Sequence, residues 1–391
     1  MSEPDLGAKG AAVRRGRPYH QAVSASVRLP PAPAQDVRFC RSPDGVRIAY
    51  ARHGSGPPLV VASCWLSHLS YDWHSPVWRH FLGDLGSIAT VIRYDERGFG
   101  LSDWDVGDDF SLESRVHDLE AVIDDSGLDR FSLLAMAQGG PVAVTYAHRH
   151  PRRVNRLVMY GTHACVDRDL TSEQREYVQT LIAMMRVGWA RPESDFRRVF
   201  TNKFIPGATE EQMCWMDDLQ KVSTSGHNAA EARRQRGEVD VTALLGELDM
   251  PTLVLHSRGD RMNAFAEGVR LASHIPGARF VPLDSDNHIV LADEPAWQVV
   301  RTQVSEFLRP ETVLAEAGSS AGSSGGLATL SAREVEILRC AAAGQDNAGI
   351  AAALTLSVRT VERHLSNVYA KLGVSGRSAR TAAATTWLTG R

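Results

Sequence analysis

Several things that would set the class of this protein are scarce in its sequence. Its five cysteines, Cys40, Cys64, Cys165, Cys214 and Cys340, are scattered without Cys-x-x-Cys spacing. Neither a zinc site nor a disulfide framework is therefore expected, and a reducing cytoplasm is the simplest location. No apolar run approaches the roughly eighteen residues that a membrane helix needs, so no membrane partner is expected. Residues 1–35 hold Arg14, Arg15, Arg17 and several prolines but lack the apolar core of a secretory signal, and they read as a mostly disordered leader. No cofactor and no metal are expected. With 43% hydrophobic and 23% charged residues the composition excludes wholesale disorder, and 391 residues are many for one core, so two domains are expected.

What is present is an uneven distribution of charge. From Leu327 onward there are eight Lys/Arg against four acids, a local +4 that leaves −7 on the remainder of a chain whose net charge is −3. A basic tail on an acidic body suggests different partners for the two. Residues 317–326 read AGSSAGSSGG, a flexible linker and the clearest boundary. Before it, β-branched runs at 46–50, 59–62, 90–94, 131–136, 157–160, 252–256 and 279–282 alternate with helical stretches, which predicts a mostly parallel α/β sheet. The strand signal vanishes over about 163–249, the pattern of an inserted helical lid. Residues 36–316 thus read as an α/β domain, and 327–391 as a small all-α domain.

Ligands of such sheets collect at the carboxyl ends of the strands. The run at 131–136 is followed by Ala137-Gln138-Gly139-Gly140-Pro141 and a helical stretch. The glycines let that helix pack close to the strand, and Pro141 falls in its first turn, where no donor is missed. This is the layout of a nucleophile elbow, yet Ala135-Met136-Ala137-Gln138-Gly139 keeps only the last glycine of G-x-S-x-G and has alanine in the serine position. PTLVLHSRGD ends on Asp260, and VPLDSDNHIVL places His288 after another strand. Taken singly these are a plain strand-turn-helix, a turn residue and a surface imidazole. Three strand ends in the order nucleophile position, acid, histidine make coincidence harder to accept.

From about Val37 to Arg309 the chain resembles the α/β-hydrolases, also through Asp95-Glu96-Arg97-Gly98-Phe99-Gly100-Leu101-Ser102, which matches their D-x-R-G-x-G-x-S loop. The resemblance implies an α/β-hydrolase fold with an inserted lid and Ala137, Asp260 and His288 as the triad positions. It also implies oxyanion amides from Gln138 and from the loop Ser63-Cys64-Trp65, with Trp65 the candidate donor. Loss of the serine costs a comparable triad on the order of 10⁶ in turnover, while ground-state binding need not suffer. Two origins fit the alanine: natural loss of the serine, or deliberate replacement. The lid carries Leu181, Met184, Met185, Trp189, Met213, Trp215 and Met216, residues whose ordinary role is core. Candidate ligand contacts are Trp65, Leu66, Met136, Met184, Met185, Trp189 and Met262, in an apolar, adaptable pocket suited to a hydrophobic ester- or lactone-like small molecule.

The tail reads as four short helices, the first opened by a capping-box pattern from Ser331 to Glu334. Leu330-Ser331-x-Arg333-Glu334, Asn347-x-x-Ile350-Ala351 and Ser357-Val358-Arg359-Thr360-Val361-Glu362-Arg363-His364-Leu365, continuing to Lys371-Leu372, resemble the LuxR-type helix-turn-helix. Helical spacing from Val358 puts Arg359, Glu362, Arg363 and Ser366 on one side and Val361, Leu365 and Val368 on the buried one. Glu362 and Arg363 are placed for base edges, and Arg359, His364 and Lys371 for phosphates, although each charge alone could be a solvated surface residue. The resemblance implies operator DNA as partner and a homodimer paired through the last helix. The leading expectation is a ligand-responsive transcription regulator. Its rivals are an esterase or lactonase whose tail only controls assembly or location, and a regulator that hydrolyses its own inducer.

Overall fold

The computed structural model describes residues 35–62, 66–168, 170–192, 195–308, 330, 332–354, 356–372, 374 and 379–389. The leader (apart from Gln35), the Gly/Ser linker, Trp65 and Ser331 lie outside them. The chain divides into two compact units, residues 1–308 and 309–391, each taken here by itself.

The first unit is built on eight strands: β1 (Asp36–Arg41), β2 (Arg47–Gly54), β3 (Pro58–Ala62), β4 (Thr90–Tyr94), β5 (Phe131–Met136), β6 (Val154–Tyr160), β7 (Thr252–Ser257) and β8 (Arg279–Leu283). They lie in the order β1-β2-β4-β3-β5-β6-β7-β8. From β4 across to β8 neighbours run parallel, whereas β1 pairs antiparallel with β2 and β2 with β4. Every residue of β4, β5 and β7 is buried, as strands covered on both faces must be. Of the antiparallel edge, the expected run at 46–50 is β2, whereas β1 was not expected. Among the residues of DVRFCR in β1 only Cys40 is buried, so an edge strand there carries almost no apolar signal.

Side-chain alternation along the central strands divides the interior into two cores. Val60, Leu133, Leu157 and Val254 point to the face covered by α3 (Leu112–Asp125), α4 (Gly139–Arg149) and α9 (Phe265–His274). Leu59, Leu134, Val158 and Leu253 point to the face of α2 (Arg79–Ile88) and α10 (Pro295–Leu308). Ser111 caps α3 by accepting the Ser114 amide at 3.3 Å, and its Val116, Leu119, Val122 and Ile123 fall on one helical stripe, all buried. A single-turn α1 (Leu69–Asp72) precedes α2.

The lid consists of α5 (Ser172–Gly188), α6 (Asp195–Phe204), α7 (Glu210–Ser223) and α8 (Gly226–Gly237), with a 3₁₀ turn at Thr242–Glu247 leading back to β7. Capping boxes Thr171/Gln174 and Thr209/Gln212 start α5 and α7. Met185, Trp189, Phe200 and Met216 join the core that includes α2 and α10, so the lid is packed rather than appended. The D-x-R-G-x-G-x-S loop fastens it. The Thr224 hydroxyl donates to Gly98 O at 2.6 Å, Asn228 Nδ2 donates to the same oxygen at 3.1 Å, and Gly100 N donates to Ser223 O at 2.7 Å. At Gly98 (φ +81°) and Gly100 (φ +55°) a Cβ would strike the Phe110 ring at 2.6 Å and the Asp95 carboxylate at 2.1 Å, which is why both positions are glycine.

The second unit holds α11 (Ala332–Ala342), α12 (Asn347–Ala353), α13 (Val358–Lys371) and α14 (Ala379–Thr389). Asp346 caps α12 by accepting Gly349 N at 2.7 Å, and Ser357 caps α13 by accepting Thr360 N at 3.1 Å. Ile337, Ile350, Val361 and Leu365 form one small core, and Leu338, Val368 and Ala383 another.

Candidate functional site

Ala137 stands between β5 and α4 with φ +46°, a left-handed conformation rare outside glycine. For a residue with a Cβ it costs about 1–2 kcal/mol and persists only where the surroundings impose it. Here Ala137 N donates to Tyr160 O at 3.2 Å, and the Thr162 hydroxyl donates to Ala137 O. The strained strand-to-helix turn has the backbone layout of a nucleophile elbow and is occupied by a methyl group that is only 2% exposed. Gly140 makes the close helix–strand approach. A Cβ there would lie 2.1 Å from Thr162 Oγ1 and 2.6 Å from His163 O. Gly140→Ala is accordingly expected to destabilise the fold by about 1–3 kcal/mol in urea titration. Gly83→Ala, in α2 with nothing within 4 Å, should be neutral or slightly stabilising.

Asp260, after β7, and His288, after β8, are in contact. His288 Nδ1 lies 2.7 Å from Asp260 Oδ2. The other carboxylate oxygen accepts the Met262 and Asn263 amides at 2.8 and 2.9 Å. Burial pushes the Asp260 carboxyl up, but the charge and hydrogen bond of His288 and the Asn263 amide outweigh it and hold the group below its ordinary value. An ionised Asp260 keeps the proton on Nδ1 and leaves Nε2 as the acceptor a nucleophile needs. The histidine loop is tied to the lid, since His288 N donates to Phe204 O at 2.9 Å and Gly207 N donates to Asn287 Oδ1 at 2.9 Å. A second histidine, His256, has Nε2 3.5 Å from Asp260 Oδ2 and is held below its ordinary pKa chiefly by burial. Nothing in the sequence pattern singled it out. A Cβ at Gly161, next to the Tyr160 whose carbonyl accepts the Ala137 amide, would be 3.1 Å from the His288 Cε1.

Gln138 caps the N-terminus of α4, where the first helical amides have no intrahelical partner, so the expected oxyanion position sits at the right end of the helix. Trp65 is outside the described residues. The loop that follows it is anchored, with Asp95 accepting Ser67 Oγ at 2.7 Å and Leu69 N at 3.1 Å.

A cavity of about 210 Å³ opens beside Gln138 under the lid. Of the expected ligand contacts it takes Met185 and Met262. Leu66 and Met136 line a separate void of about 50 Å³ beneath α2. Met184 is 41% exposed and is not part of the lining, which takes its neighbour Met185 instead. Trp189 is sealed inside the lid, its indole N–H donating to Gln220 O at 2.8 Å, so it is lid core. The expectation of a purely apolar pocket is also corrected, because His163, Asp167, Lys203, Arg233 and Arg236 line the same cavity. No motif announced them, since α6, α8 and the turn after β6 bring them together only in three dimensions. Among the described residues no group of three or more His, Cys, Asp or Glu is arranged to hold a metal.

In the second unit Arg359, Glu362, Arg363 and Ser366 are exposed on α13, while Val361, Leu365 and Val368 are at most 3% exposed. Two expected phosphate contacts have surroundings of their own. Lys371 Nζ is bound to Glu334 at 2.6 Å, a carboxylate 4% exposed, so its charge is already paired inside the unit. His364 is half-buried, and burial together with Arg363 lowers its pKa, which disfavours the charged ring.

Comparison with known proteins agrees with both halves. Residues 57–295 match the α/β hydrolase fold family and residues 328–384 match the luxR family of bacterial regulatory proteins. A cis-3-alkyl-4-alkyloxetan-2-one decarboxylase of Shewanella oneidensis is 33% identical over 130 residues, 32% of this chain and 39% of that relative. A pimeloyl-[acyl-carrier protein] methyl ester esterase of Nitrosomonas europaea is 27% identical over 233 residues, 58% of this chain and 87% of the relative. The crystal structure of a hydrolase from Pseudomonas aeruginosa PA01 superposes with a TM-score of 0.60 at 25% identity, covering 70% of this chain and 99% of that one. The chain belongs to the α/β hydrolase fold family and carries, behind that domain, a helix-turn-helix domain of the luxR family.

Proposed function

We propose that the protein is a ligand-responsive transcription regulator, working in the cytoplasm as a homodimer. Its hydrolase-fold domain holds an ester- or lactone-like small molecule, and its tail holds operator DNA. The observation that carries this reading is an acid–histidine pair and a strained elbow, both intact, around a side chain that has no nucleophile. Such a site retains a ligand that a serine would have consumed. Two relatives act on compounds of this chemistry, one on a methyl ester and one on an oxetan-2-one, a cyclic ester. The exposed face of α13 offers Arg359 and Arg363 to phosphates and Glu362, Arg363 and Ser366 to base edges.

The intact Asp260–His288 pair also favours a second reading, an esterase or lactonase in which alanine replaces the native serine, including one that clears its own inducer. The regulator is tested by selecting duplexes from a random DNA library on the full chain and titrating the selected sequence with and without small methyl esters and lactones. A sequence-selective, salt-dependent complex is expected, its affinity shifting about 5- to 150-fold with the effective ligand, and the ligand's affinity shifting by the same factor with DNA. Failure to enrich any sequence would remove the regulator reading.

A further inference from the structure

The cavity beside Gln138 is lined by two kinds of residue. Val178, Leu181, Met185 and Phe200 are apolar, and the charged ones carry more positive than negative charge. Arg233 and Asp167 neutralise each other through two contacts of 2.7 and 2.8 Å. Arg236 is paired with Glu96, which lies behind the wall rather than in it. Lys203 has no ion pair among the described residues, and its Nζ stands 5.5 Å from the centre of the Tyr177 ring, itself part of the lining. After the pairs are cancelled, Lys203 is the one cation of the lining left without an ion pair among the described residues.

The same lining holds hydrogen-bonding atoms with nothing to bond. His163 is 4% exposed and its Nδ1 is buried without a partner, as is Gln138 Nε2. Burial, reinforced by Arg233 and Arg115, pushes the His163 imidazole down to about 3, so it is neutral and does not add to the charge. Leaving such atoms unbonded in a buried site is costly, and a ligand that supplies an acceptor to the Gln138 amide removes part of that cost.

We infer that the cavity takes a small molecule bearing one carboxylate, whose charge is met by Lys203 and whose apolar body lies along Leu181, Met185 and Phe200. This rests on the ligand-holding role proposed above. A single residual positive charge favours a monoanion over a dianionic phosphate ester, which would bring a second, uncompensated negative charge into the lid. The ester or lactone group then lies toward Gln138 and the elbow.

The test uses the full chain and a matched pair, monomethyl glutarate and dimethyl glutarate, which differ at pH 7.5 by one charge and one methyl group. Calorimetry should show the monoester binding about tenfold more tightly than the diester. Lys203→Met should abolish that preference while the diester binds as before, and Lys203→Arg should restore it; unchanged melting of both variants excludes a folding effect. Equal binding of the two esters, with Lys203→Met altering neither, would overturn the carboxylate inference and leave the ligand site standing. Binding of neither at millimolar concentration would overturn both.

Discussion

Ala137→Ser is expected to raise ester hydrolysis by on the order of 10⁴- to 10⁶-fold over the Ala137 protein. The reason is how little else is missing. The backbone at position 137 is already held at φ +46°, the acid already orients the base at 2.7 Å, and the lid already excludes water from a side chain 2% exposed. One oxygen on the existing Cβ would supply the nucleophile, His288 Nε2 would take its proton, and the amide of Gln138 would face the developing oxyanion. The measurement is turnover of p-nitrophenyl esters and a lactone series by both forms, with Ala137→Ser/His288→Ala as control. The control should fall back to the Ala137 level, because a serine without its base is inert. An Ala137→Ser protein no faster than its parent on every ester and lactone would show that the acid–histidine pair is structural, and the reading of Ala137 as a silenced nucleophile would be lost.

Arg363→Ala is expected to relax sequence preference at one base position of each half-site by about 1–3 kcal/mol, read as the ratio of affinities for matched and single-substituted operators. Arg363 is exposed on α13, whose opposite side is buried through Val361, Leu365 and Val368, so the guanidinium can reach a groove without disturbing the small core. Lys371 provides the contrast. Had it been a phosphate contact, Lys371→Ala would weaken all sequences evenly and flatten the salt dependence. Because it neutralises Glu334, the substitution should instead destabilise the tail unit, lowering its melting point through a loss of about 1 kcal/mol once the 40% exposure of the lysine is allowed for. An unaltered preference in Arg363→Ala, or an unaltered melting point in Lys371→Ala, would contradict the respective assignment.

Much of this was legible in the chain. Leu133 and Leu134 belong to a run buried throughout, and such a run signals a central strand. Gly140 and Pro141 mark a tight strand-to-helix turn through backbone geometry alone. Strand ends in a parallel sheet share one edge, so Ala137, Asp260 and His288 could be brought together on paper from their order. Val361, Leu365 and Val368 show their buried side through helical period. Fold class, the strand ends that carry Ala137, Asp260 and His288, and the outer face of α13 were therefore set by local periodicity and turn chemistry, which neighbouring residues carry in full.

Packing decided the rest. Met184 and Met185 are adjacent and chemically identical, and only the rotation of α5 over the sheet sends one to the cavity and the other to solvent. Trp189 has the composition of a ligand contact, yet its place inside the lid follows from how α6 and α7 close around it. The edge strand β1 pairs through its backbone, which side-chain pattern does not report. Lys371 looks like any exposed cation until α11 brings Glu334 to it. Most of all, Lys203, His163 and Arg233 come from separate elements, and whether a cation is spent in a pair or left facing a cavity depends on distances that no one-dimensional pattern encodes. The sequence by itself determined the parallel α/β core, the tight turn that holds Ala137 and the strand ends that carry Asp260 and His288, because strand runs and turn chemistry are local. Only the tertiary structure decided which charge faces the cavity, because charge compensation is a property of neighbours in space.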